Sequence, residues 1–248
     1  ISMKKWLVLT VVGFGLIGSA PVADAQVTAQ GGGYLLRMKF TKGQTMRYNM
    51  TMNTQMPSGS MPKGSGGGNM NMTMPMSMTV TDVKNGVATI KSVVGPSKFM
   101  GSEIPKQEQT MRMDSRGNVV GGGASQMNFL GSLPQGPVKI GQKWTQNVDM
   151  GAMSGGMGGS MKMTGTYTLR SVAANVATIA VTINGTQQGM KINGTGTFRT
   201  RVSDGSMDGG SLNMTMVMDM SGMGGASKSK SKGPQSMTIK STISITRR

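Results

Sequence analysis

Met70, Met72, Met74, Met76 and Met78 occupy alternate positions in one short stretch, and Met214, Met216, Met218 and Met220 do so in another. Alternation is the period of a β-strand, so each set falls on one face. A thioether is a soft, neutral ligand that selects Cu(I), and by extension Ag(I), over harder cations. Residues i and i+2 of a strand lie about 6.6–6.8 Å apart at Cα, close enough for flexible three-bond side chains to converge on one ion. The same side chain also fills irregular cores. The 29 methionines therefore pack a core, hold a metal, or line an adaptable apolar surface. With Met46, Met50 and Met52, the two alternating sets form the candidate ligand face for an apolar, lipid-like ligand or a partner segment. Met56, Met61, Met153, Met157 and Met223 lie in or beside Gly/Ser-rich loops, where a core has no obvious use for them, and are the candidate metal ligands. The chain is thus expected to carry no cofactor, with Cu(I) as the alternative.

Other chemistry is largely excluded. The chain has no cysteine and no histidine, which removes disulfides, Cys/His zinc sites, His- or Cys-ligated haem and histidine-assisted nucleophiles. General acid–base work needs paired carboxylates, and only 9 Asp and Glu occur. Two of them, Asp114 in Met113-Asp114-Ser115-Arg116-Gly117 and Asp204 in Ser203-Asp204-Gly205, sit where an Asp side chain bonds nearby backbone amides in a turn. Ser227 and Lys230 match S-x-x-K inside a Ser/Lys tract by composition alone. No catalytic residue is expected, and the protein is not expected to be an enzyme. The formal charge of +17 points either to anionic envelope surfaces as partners or to a soluble basic face. Export and the scarcity of aromatics argue against nucleic acid.

The elements that must carry these residues follow from pattern. Lys4 and Lys5, the apolar run Trp6 to Ile17 and the small-x-small Ala23-Asp24-Ala25 predict a secretory signal peptide cut after Ala25, placing the protein in the periplasm or outside the cell. Residues 26–33 read as a flexible lead-in, and residues 34–248 as one β domain. Tyr34 to Phe40, Met46 to Met52, Ala177 to Ile183 and Met237 to Ile245 all alternate, and no segment has a convincing helical period. Pro75 cannot donate to a ladder, which argues that its strand lies at an edge.

Thr79 to Val94 aligns without gaps on Thr168 to Ile183, with 6 of 16 positions identical. Upstream, Lys42-Gly43-Gln44 precedes Met46 as Ile140-Gly141-Gln142 precedes Trp144. The alignment predicts an internal repeat, residues 34–120 and 138–248, and Asn85-Gly86 marks a tight hairpin in the first copy. The expected fold is all-β: two tandem antiparallel meanders forming a curved sheet or half-open barrel with few or no helices.

The stretch Phe40-Thr41-Lys42-Gly43-Gln44-Thr45-Met46-Arg47-Tyr48, the turn Met113 to Val119, Leu133-Pro134 and Pro137-Val138-Lys139-Ile140-Gly141-Gln142-Lys143-Trp144, in that order, resemble a family of exported bacterial proteins with a domain of unknown function. That resemblance implies a β-rich domain, a curved sheet like those of periplasmic lipoprotein carriers, and no established activity. The Met clusters are also similar to Met-rich segments of exported copper-handling proteins, although no His or Trp stands beside Met70 to Met78. The expected function is an exported, non-enzymatic binding or envelope-structural protein. Periplasmic Cu(I)/Ag(I) binding is the alternative, and a surface or matrix role a second one.

Overall fold

The computed structural model describes residues 27–57, 68–99, 102–121, 132–149, 162–187, 189–219 and 236–248. The expected signal peptide lies outside them. Every regular element among the described residues is a strand. Ten strands form one antiparallel sheet: β3 (Thr45–Gln55), β4 (Asn69–Lys84), β5 (Val87–Val94), β8 (Gln107–Asp114), β9 (Lys143–Asp149), β10 (Lys162–Ala173), β11 (Val176–Gln187), β12 (Met190–Arg201), β13 (Met207–Asp219) and β14 (Ser236–Arg247). Their order is β8-β5-β4-β3-β14-β13-β12-β11-β10-β9. Two meanders in chain order are thus zipped together where β14 pairs with β3. The sheet is not closed into a barrel.

Two small hairpins complete the fold, β1 (Val27–Gln30) with β2 (Gly33–Leu36), and β6 (Ser97–Phe99) with β7 (Ser102–Ile104). The first corrects the flexible lead-in expected over residues 26–33. Gly31 and Gly32, at φ 57° and 76°, form the tight turn that joins β1 to β2, and both Val27 and Leu36 are buried in the core. Glycines that look like slack in the sequence are a two-residue hairpin turn of the kind that needs φ > 0.

Alternation separates the sheet into an apolar face and a hydroxyl/amide face. On the polar face the row Thr145, Thr166, Thr182, Thr195, Asn213, Thr242, Asn53, Asn71 runs from β9 to β4 without a charge or an aromatic. Threonine suits a pleated, half-solvated surface, which explains how a chain poor in Leu, Ile and Val still forms long strands. Pro75 sits in an interior strand, but its carbonyl faces the turn after β5, accepting from the Gly95 amide at 2.7 Å. The β4–β5 ladder ends at Met76–Val94, so the missing proline donor falls where no partner strand stands.

The apolar face curls. In a flat sheet the ends of β8 and β12 would lie six strand spacings, about 29 Å, apart. Yet the consecutive amides of Met38 and Lys39 donate to Ser115 O, just past β8, at 2.7 Å, and to Asp204 O, just past β12, at 2.9 Å. Residues 37–40 therefore form a strap across one end of a strongly curved sheet. Gly205 permits it, because a Cβ there would run into the Arg37 carbonyl. Arg37 anchors the strap by donating to Pro134 O at 2.8 Å and Gln135 O at 2.6 Å. Residues 132–135 in turn bridge the two edge strands at this end. The Leu133 amide donates to Arg116 O at 2.8 Å beyond β8, and Gln146 on β9 exchanges hydrogen bonds with Ser132 and Leu133. This end is closed. At the opposite end the ends of β3 and β4, β9 and β10, and β13 and β14 that flank residues 58–67, 150–161 and 220–235 all lie together.

The two aligned segments have matching geometry. Gly43 and Gly141, at φ 86° and 85°, turn the chain into β3 and β9. Gln44 Oε1 accepts from the Thr41 amide at 3.1 Å and Gln142 Oε1 from the Lys139 amide at 2.9 Å. The register slips between Val80 and Asp82 in β4, and between Leu169 and Ser171 in β10, at aligned positions. Both hairpins then turn through two residues of positive φ, Asn85-Gly86 and Ala174-Asn175.

Candidate functional site

The candidate ligand face divides according to its cover. Met46, Met50 and Met218 are buried, so these three members of the candidate face are sealed within the fold. Met46 faces Met78 across the β3–β4 ladder, and Met50 faces Met74, beneath the closed end and the middle of the sheet. Met52, Met70, Met72, Met74, Met76, Met78, Met214 and Met216 point the same way but are only half-buried. Met220 lies outside the described residues, as do Met61, Met153, Met157 and Met223. Met56, the one described loop candidate, is half-buried just after β3, where its amide donates to Gly68 O at 2.7 Å.

Toward the opposite end, fewer of the inner-face side chains among the described residues are fully buried. Met52 pairs with Met72, Ile243 with Met52, and Met216 with Ile239, so the inner face of β4, β3, β14 and β13 is a trough of methionine and isoleucine rows divided by Thr54 and Ser241, with Ile243 itself buried. Its polar interruptions satisfy each other, as where the Thr54 and Ser241 hydroxyls bond at 2.9 Å. The trough therefore presents apolar surface with little unmet hydrogen-bonding demand.

Under the strap lies a cavity of about 100 Å³, lined among others by Met38, Met46, Met76, Met78, Met113 and Met207. Asp204 and Lys39 also reach its wall. Asp204 is held by its own turn: Oδ1 accepts from the Ser206 amide at 3.0 Å, and Arg247 Nη1 stands 4.0 Å from Oδ2. Tyr48 donates to Met207 O at 3.2 Å, and burial pushes its hydroxyl up to about 12, so the wall carries a neutral phenol. Asp114 is also a turn residue, its Oδ1 accepting from the Arg116 and Asn118 amides at 2.8 and 2.9 Å. Both aspartates are thus engaged in local structure.

A second cavity, of about 60 Å³, lies at the matching place in the other unit. Its wall contains Trp144, Tyr167 and Phe198, and it shares Met38 and Met207 with the first. Trp144 stacks on Tyr167 with ring centroids 5.6 Å apart. Tyr167 lies back over Gly165, where a Cβ would sit 2.7 Å from its hydroxyl. Burial raises the Tyr167 hydroxyl well above the usual tyrosine range.

Met38, Met113 and Met207 were not among the sequence-derived candidates. Met113 alternates with Met111 and was legible, but Met38 and Met207 enter the cavity only because the strap and the β12–β13 turn fold over the sheet. No group of three or more His, Cys, Asp or Glu able to hold a metal occurs among the described residues. No family model and no curated protein matches the chain.

Proposed function

We propose that this is an exported, non-enzymatic carrier or envelope protein whose open methionine trough shelters an acyl-chain-like apolar ligand. One observation carries this reading: among the described residues, Met52, Met72, Met74, Met214 and Met216 on the inner face of β4, β3 and β13 are only partly buried, whereas Ile243 and Leu212 between them are sealed. Leaving such side chains partly in water forgoes roughly 25 cal/mol per Å² of apolar area, and exposed apolar patches mark binding surfaces. Methionine is flexible and polarizable, so it adapts to chains of varied shape. The signal-like N-terminus supports export, and the charge of +17 supports residence against anionic envelope surfaces. In this reading the two matching units are copies of one segment, and the ligand face lies where they join, on β4 and β3 of the first and β14 and β13 of the second.

The test is a titration of the metal-free, delipidated protein with a fluorescent polyene fatty acid. Saturable binding at one ligand per chain, in the micromolar range or tighter, is expected. The double variant Met52→Lys, Met74→Lys should weaken it more than tenfold, about 1.4 kcal/mol. Unsaturable fluorescence, or an affinity untouched by the two lysines, would overturn the proposal.

A further inference from the structure

We propose that the cavity under the strap is a thioether site for a soft monovalent cation, Cu(I) or Ag(I). The inference is independent of the acyl-chain reading, which concerns the open trough. Six methionines, Met38, Met46, Met76, Met78, Met113 and Met207, line one space. Met46 and Met78 are direct register partners on β3 and β4, with Cβ atoms about 4.5–5.5 Å apart. Met76 follows on the same face of β4. The strap brings Met38 and β13 brings Met207 from other directions, so ligands approach from several sides.

Packing does not demand these residues. By the matched turns and bulges, Met46, Met76 and Met78 stand where the second unit has Trp144, Gly165 and Tyr167. There the aromatic pair stacks, with the tyrosine ring laid over the glycine, and leaves the smaller space of about 60 Å³. The same scaffold with methionine leaves about 100 Å³. That is less than the roughly 150 Å³ apolar cavity that admits benzene, too little for an acyl chain and enough for an ion between sulfurs. Thioethers are neutral, so the bound ion keeps its positive charge. Asp204 in the wall offsets it, although it lies near Arg247 and shares the wall with Lys39. Soft sulfur donors select Cu(I) among physiological ions.

The experiment is an anaerobic Cu(I) titration of the full chain against a chromophoric chelator, repeated with Ag(I) by calorimetry. One ion per chain at the cavity is expected, with only sulfur scatterers beside copper in X-ray absorption. Met46→Leu with Met78→Leu conserves volume and hydrophobicity and should weaken that binding at least tenfold while far-UV circular dichroism stays unchanged. Met72→Leu with Met74→Leu, in the trough, should leave it intact. Absence of competition, binding insensitive to the cavity pair, or binding lost only when Met61, Met153, Met157 and Met223 are replaced would each overturn the proposal. Should the cavity pair fail to fold, Met113→Leu alone provides the same comparison from β8. Fatty-acid affinity, measured without metal, should not follow the cavity variants.

Discussion

The two units of the sheet share their entry turn, bulge and hairpin, yet they fill their inner faces differently. In the second unit Leu169, Ile179, Val181, Ile183, Ile192 and Phe198 are buried, and Trp144 stacks on Tyr167. In the first, Val80, Ala88 and Ile90 hold the matching deep positions, but much of the remainder is methionine and half-buried. Branched and aromatic side chains have few rotamers and pack to a unique arrangement, whereas methionine fills space without specifying it. The comparison teaches that the scaffold does not require methionine. Among the described residues, methionine is concentrated on β3, β4 and β13, where the inner face is partly buried and where a cavity remains.

The largest effect should come from attacking the closed core of the second unit. Leu169→Ala removes a fully buried side chain and is expected to cost about 2–5 kcal/mol in chemical denaturation. Met74→Ala, at a partly buried position on the inner face, should cost about 1 kcal/mol. Equal costs would mean that the trough is ordinary core and would dissolve the contrast. A smaller effect of opposite sign is expected at Ser92, which stands where the second unit has Val181. Its hydroxyl is buried with no hydrogen-bond partner among the described residues. Removing an unsatisfied buried hydroxyl relieves a desolvation cost, so Ser92→Ala should stabilise by about 1 kcal/mol, a rise of about 2–4 °C in Tm. A drop in Tm would show that the hydroxyl is engaged.

The smallest effect concerns charge. Glu108 on β8 pairs with Lys106 at 2.6 Å and Lys91 at 2.7 Å, and those hydrogen bonds hold its carboxyl down to about 2. The second unit has Thr195 and Ala180 at the corresponding places. A carboxylate depressed in the folded state contributes stability above its unfolded value, near 4.5, and that contribution fades as pH falls through about 2. The group is exposed, so the effect should be slight and abolished by high salt. Amide protection factors in β5 and β8, taken relative to the intrinsic rate at each pH, should fall between pH 4.5 and 2, while those in β11 and β12 should not. An equal fall in both pairs would assign it to general acid loosening.

Period-two alternation by itself determined that the chain is all-β, and the Thr79–Val94 alignment determined where its two matching hairpins lie. Asn85-Gly86 was readable as a tight turn because its φ values are a local property. Asp114 and Asp204 were readable as turn residues for the same reason. Gly31-Gly32 carries an equally local signal, and glycine's permissiveness made it look like slack instead of the turn that docks Val27. Alternation also placed the methionines on one face, because that face is set by pleat alone. Burial was different. Whether Met46 is sealed and Met72 half-open depends on the strap at residues 37–40, whose amides reach Ser115 and Asp204 over sequence separations no local pattern encodes. The cavity likewise exists only because curvature brings Met38 and Met207 over β3 and β4. Local periodicity decides which way a side chain points, and only tertiary closure decides what, if anything, comes to cover it.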